Sequence, residues 1–138
     1  VQAIMLPAGH EVLHVGDDPT QDHWERCDEP SLLSYITHLP PHIGAAIQQL
    51  APRYRLDHSR TVGYAYWMNH CGLCDAKLGD HRTHEELGVG FEVATPSQAE
   101  RITLRPMEGR IEACCGSYSD GVEFFGQMIQ LRDQFMSR

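Results

Sequence analysis

Thr61-Val62-Gly63-Tyr64-Ala65-Tyr66-Trp67-Met68-Asn69-His70-Cys71-Gly72-Leu73-Cys74 is the stretch whose reading sets the architecture. Its first part is rich in aromatic and β-branched residues, and Tyr64 to Met68 gives the strongest strand signal in the chain. That strand runs into Cys-x-x-Cys, a spacing whose tight turn aims two sulfurs at one point while backbone N–H groups steady the thiolates. A strand delivering a cysteine pair predicts a zinc knuckle built on a sheet.

Toward the N-terminus, Glu11 to Val15 predicts a short strand, Gly16-Asp17-Asp18-Pro19 a turn, and Asp17 to Glu29 an acidic loop. Pro30 with Leu32, Leu33, Tyr35 and Ile36 predicts a short apolar helix that stops before Pro40-Pro41. A second helix from Pro41 to about Ala51 places Ile43, Ala46, Ile47 and Leu50 at helical spacing, so residues 30–51 read as a helical hairpin. Toward the C-terminus, Gly88-Val89-Gly90 precedes a strand at Phe91 to Ala94, and Thr95 or Ser97 can cap a turn of helix. Ile102 to Leu104 and Arg110 to Tyr118 read as strands around a Met107-Glu108-Gly109 turn. Val122, Phe125, Met128, Ile129, Leu131, Phe135 and Met136 share an apolar face, which predicts a final helix over about 119–137. Residues 1–138 thus read as one α+β domain: an antiparallel sheet with helices on one face, and a zinc knuckle within a segment of about 60–118.

Composition agrees with a single folded domain. Hydrophobic residues make up 41% and charged residues 22% of 138, near globular averages and far from a disordered profile. The net charge of −8 disfavours nucleic acid and anionic membranes and favours a basic protein partner. No apolar run approaches the roughly 20 residues that cross a bilayer. Five cysteines, one pair spaced by two and one vicinal, make a poor disulfide framework and suit a reducing, cytoplasmic compartment.

Two thiolates leave a structural zinc site half built. His81 and His84, three apart on a short helix that Asp80 can cap and Gly88 can end, share a face and lie nearest in sequence. The vicinal Cys114-Cys115 pair offers a second closure, because alternation along a strand sends one sulfur to each face. The expected ligands of one structural Zn2+ are therefore Cys71 and Cys74, then His84, with Cys114, Cys115 or His81 in the fourth place. A redox Cys-x-x-Cys would open a helix after a βαβ pattern, which is missing here. His10, His14, His23, His38, His42 and His58 read as exposed or hydrogen-bonded histidines rather than ligands.

His84-Glu85-Glu86 contains the His-x-Glu spacing of zinc nucleobase deaminases, but their Cys-x-x-Cys follows that element and here it precedes. No His-Glu-x-x-His motif occurs. The enzymatic alternative is a zinc-dependent hydrolase or deaminase with Glu85 or Glu86 carrying the proton, and the sequence leans against it. The run Tyr66-Trp67-Met68-Asn69-His70-Cys71, with Cys74, Gly79-Asp80 and His84-Glu85-Glu86, resembles a segment of small, mostly uncharacterised bacterial proteins in which an aromatic strand enters Asn-x-Cys-x-x-Cys. The resemblance covers about 30 residues and implies a bacterial zinc-ribbon-like module without an established activity. The resulting expectation is a non-catalytic, zinc-stabilised protein-interaction domain of the immunity or antitoxin type.

Overall fold

A computed structural model describes residues 1–85, 95–107 and 109–130, apart from the side chains of Arg82 and Glu85. In chain order its elements are β1 (Ile4–Leu6), β2 (His10–His14), β3 (His23–Cys27), β4 (Ser31–His38), α1 (Pro41–Leu50), β5 (Tyr54–His58), β6 (Ala65–His70), β7 (Lys77–Leu78), a π-type turn at His81–Glu85, α2 (Pro96–Ala99), β8 (Thr103–Leu104), β9 (Cys114–Tyr118), a 3-10 turn at Phe125–Gln127 and β10 (Ile129–Gln130). The fold is α+β and mostly antiparallel, as the sequence predicts. No helix among the described residues is long and apolar enough to cross a membrane.

The expected strand is β6, buried from Tyr66 through His70. It pairs antiparallel with β5, Tyr54 opposite Asn69, and with β7, His70 opposite Lys77. A second sheet runs β1-β4-β9, antiparallel throughout. Between the sheets and α1 lies one core of Leu33, Ile36, Leu39, Ile43, Ile47, Tyr54 and Trp67. Gly44 on α1 faces the Trp67 ring, whose nearest atom would stand 3.2 Å from an added Cβ, so the helix approaches β6 as closely as it does because position 44 lacks a side chain. Asn69 pins the end of β6 from the other side: its carboxamide accepts the Gln2 N–H at 2.6 Å and donates to the Gln2 carbonyl at 2.8 Å.

Four expectations are corrected. The helical hairpin over residues 30–51 is half right: α1 forms, but Ser31–His38 is the central strand β4. Ser31, Leu33, Ser34 and Ile36 are all buried between β1 and β9, and a short apolar run covered on both faces carries no period that separates strand from helix. The acidic loop over 17–29 contains β3, which pairs with β2 over five residues. The final helix does not form within the described part of 119–137, where Gly121 (φ +101°) and Phe124 (φ +55°) leave the right-handed helical region and β10 runs parallel to β8. Met128 there joins Ala99 and Ile102 in a second, smaller core. β8 and β9 do not pair with each other as the turn at 107–109 predicts. The Gly88–Gly90 run, the strand expected at 91–94 and the helix end from Leu131 lie outside the described residues.

Thr95 caps α2 as expected, its hydroxyl accepting the Gln98 N–H. The expected start of the short helix near Asp80 also holds, although the turn there is wider than α.

Candidate metal centres

Cys71 and Cys74 occupy the turn joining β6 to β7. The Cys71 N–H donates to the Ala76 carbonyl at 2.8 Å and the Asp75 N–H to the Cys71 carbonyl at 2.9 Å, which closes the chain on itself. The Leu73 N–H donates to Cys71 Sγ at 3.4 Å. The Cys74 N–H, then that of Leu73, the Cys74 thiol and the charge of Arg53 together hold the Cys71 thiol below its ordinary range. Donors converging on a sulfur favour its thiolate, the form that binds metal.

Asp75, where a knuckle often has glycine, takes the left-handed conformation that glycine would supply (φ +61°). Aspartate tolerates that region better than most residues. Its carboxylate is gripped by two cations, Arg53 Nη1 on Oδ1 and Arg55 Nη2 on Oδ2, both at 2.8 Å. Arg55, then Arg53, keep that carboxyl below the usual range. Beneath the turn, the buried His70 ring meets the Arg53 carbonyl at 3.0 Å through Nδ1 and Asp57 Oδ2 at 2.7 Å through Nε2, tying β6 to β5. Leu73 at the tip is 99% exposed.

The other expected ligands are not gathered here. Among the described residues no third ligand atom of a His, Cys, Asp or Glu joins Cys71 and Cys74 within 4.8 Å. His84 is buried, its Nδ1 2.9 Å from Ser34 Oγ and its Nε2 3.6 Å from Asp80 Oδ1, while His81 is exposed. Cys114, exposed, lies opposite His38 on β4; Cys115, opposite Ile36, is half-buried and its thiol is pushed up by burial. The alternation expected of that pair is present. The Glu85 side chain and Glu86 lie outside the described atoms.

Ser34, His84 and Asp80 have the composition of a hydrolytic triad but not its arrangement. The serine meets Nδ1 and the carboxylate Nε2, the reverse of the usual roles. Ser34 is 8% exposed and Asp80 0%. A groove of about 660 Å³ lies along Tyr35, Tyr66, Lys77 and His81 but is not lined by Ser34 or His84. Asp80 serves the backbone instead: its Oδ2 accepts the Tyr35 N–H at 2.7 Å, holding Tyr35 at φ +55°. Tyr54, whose buried hydroxyl has no hydrogen-bond partner among the described residues, has its acidity suppressed by burial and then by the Asp80 carboxylate.

A second cluster, which the sequence reading passed over, sits on the β2–β3 hairpin. One ligand atom from each of His14, His23 and Glu25 lies within 4.8 Å of the other two. His14 stands directly opposite His23, their rings 5.0 Å apart and 22° from parallel. His14 Nε2 is 2.8 Å from Glu25 Oε2. The available signal was two histidines flanking a Gly-Asp-Asp-Pro turn, with a glutamate two residues beyond the second and so on the same strand face.

No family model, curated protein or solved structure matches this chain.

Proposed function

We propose that this chain is a non-catalytic protein-interaction domain stabilised by one zinc ion held through Cys71 and Cys74. The observation that carries the reading is the turn between β6 and β7, where backbone donors converge on Cys71 Sγ and Asp75 adopts the left-handed conformation a knuckle requires. A tetrahedral zinc bound there needs further ligands, and Leu73 projects beside the sulfurs into solvent. In this reading the free chain completes the shell with water, and a partner's side chains replace that water, so the metal sits in the interface.

Charge selects the partner. Of the net −8, most lies between Glu11 and Glu29, where seven carboxylates face the single guanidinium of Arg26. Such a surface steers a basic protein toward it and repels nucleic acid and anionic lipid. An immunity or antitoxin-type protein of a bacterial cytoplasm fits that requirement, and the reducing compartment would keep the five thiols free.

The test is zinc content and X-ray absorption on full-length, untagged protein. The expected result is zinc with two sulfur neighbours that disappear in C71S/C74S. A zinc shell without sulfur, or no zinc and a ready Cys71–Cys74 disulfide, would overturn the reading.

A further inference from the structure

We propose that His14, His23 and Glu25 form a second metal site, for a divalent first-row transition-metal ion such as Zn2+ or Cu2+, with at least one coordination position left open. Two imidazoles and a carboxylate are the donor set such ions accept, and three protein ligands leave room for water or an incoming group. This inference stands on its own geometry and is independent of the knuckle.

The ladder brings the donors together. The β2–β3 register sets His14 against His23, and alternation puts Glu25 on the same face as His23, so all three point to one side. Leu13 and Trp24, an adjacent cross-strand pair, occupy the opposite face. His14 Nε2 is shielded from solvent and lies 2.8 Å from Glu25 Oε2. That separation suits an ion pair in the metal-free chain, and two ligand atoms of one cation stand at a similar distance, so a metal ion can replace the shared proton with little movement. His23 has the outer support typical of a metal ligand: its Nδ1 lies 3.2 Å from the Gln21 carbonyl, and donation there leaves Nε2 with the free lone pair.

The connection is ordered before any metal arrives. Asp22 Oδ1 accepts the Gly16 N–H at 3.0 Å, Gln21 Oε1 the Asp17 N–H at 3.1 Å, and Asp18 Oδ1 the Thr20 N–H at 2.9 Å. These bonds fix the path between His14 and His23, which lowers the entropy cost of presenting both rings to one ion. The carboxylates of the connection, Asp17, Asp18 and Asp22, raise the local concentration of cations near the cluster. The hairpin also has the most to gain. β2 and β3 pair only with each other among the described strands, β3 is exposed along most of its length, and an isolated two-stranded ribbon is marginal in water.

The experiment titrates the full, metal-free, reduced chain with Co2+ and Zn2+. Cobalt at Cys71 and Cys74 gives sulfur-to-metal charge-transfer absorption; cobalt at imidazole and carboxylate does not. The wild-type chain is expected to take one equivalent of each kind. H14A/H23A should weaken the sulfur-free equivalent by more than the 10- to 100-fold that even an outer partner is worth, and leave the sulfur band intact. E25Q, an exposed change, should weaken the same equivalent without altering the circular dichroism. Cu2+ should quench the emission of Trp24, which is 61% exposed, in the wild type and not in H14A/H23A. A sulfur-free equivalent that survives H14A/H23A, or a wild-type chain that never takes one, would overturn the proposal. Loss of the sulfur band alone would count against the knuckle and leave the hairpin site standing.

Discussion

As proposed metal sites, the β6–β7 turn and the β2–β3 hairpin gather their donor atoms by opposite routes. In the turn, Cys71 and Cys74 are three residues apart, so any tight turn brings their sulfurs together, and the strand that carries them is buried from Tyr66 to His70. In the hairpin, His14 and His23 meet only through strand pairing, on a ribbon that no third strand supports among the described residues. A site built within a turn and anchored in a core is coupled to global folding; one built across a lone ribbon is coupled to that ribbon. The difference is one of cooperativity rather than of donor number.

The largest expected effect tests this coupling. With zinc a thousandfold above its dissociation constant, a site present only in the folded state stabilises it by about 4 kcal/mol. Urea unfolding followed with and without zinc should show a gain of that order in the wild type and its loss in C71S/C74S. H14A/H23A should retain nearly all of it, because the hairpin can open without unfolding the rest. The hairpin metal should instead slow amide hydrogen exchange in His10–His14 and His23–Cys27. Equal losses of global stability in the two double variants would erase the distinction drawn between the regions.

The same contrast explains what the sequence revealed. The turn at Cys71–Cys74, the strand beneath it, α1 and the Thr95 cap are local patterns, in which residue type and spacing over a few positions carry the whole signal. β4 was hidden because burial of Ser31, Leu33, Ser34 and Ile36 on both faces erases the alternation that marks a strand. His84 was a plausible ligand by spacing, yet its ring is taken into the core beside Ser34 and Asp80. The His14–His23–Glu25 cluster required the register, and register follows from turn geometry and pairing rather than from any one residue.

A smaller effect sharpens the account of the turn. Asp75 does two things at once: it accepts a left-handed backbone and it binds Arg53 and Arg55. Asp75→Ala loses both and should weaken zinc binding at Cys71 and Cys74 by about 10- to 100-fold, the cost of a lost outer partner. Asp75→Gly keeps the backbone freedom and should fall between Ala and the wild type. If Gly binds zinc as weakly as Ala, the arginine grip alone sets the geometry; if Gly matches the wild type, the backbone does. Hairpin metal affinity should be unchanged in both variants.

The smallest effect is the acid response of the ties beneath the turn. Asp57 is held below the usual carboxyl range first by its hydrogen bond from His70, then by the His58 N–H and Lys77, and Asp75 first by Arg55. A carboxyl depressed in the folded state contributes stability that is fully present above its unfolded value, about 3.9, and is lost as pH falls through the lower folded value. The contribution of these two residues should therefore be flat from neutrality down to about pH 4 and decline only below it. Both carboxylates are solvent-accessible, so screening keeps the decline shallow and added salt should flatten it further. Urea midpoints of metal-free D57N and D75N should approach that of the metal-free wild type below this window and separate from it above. A D57N/D75N chain that follows the wild-type midpoint at every pH would show that the buried strand β6 holds the turn without these ties. The knuckle would then differ from the hairpin by its core alone.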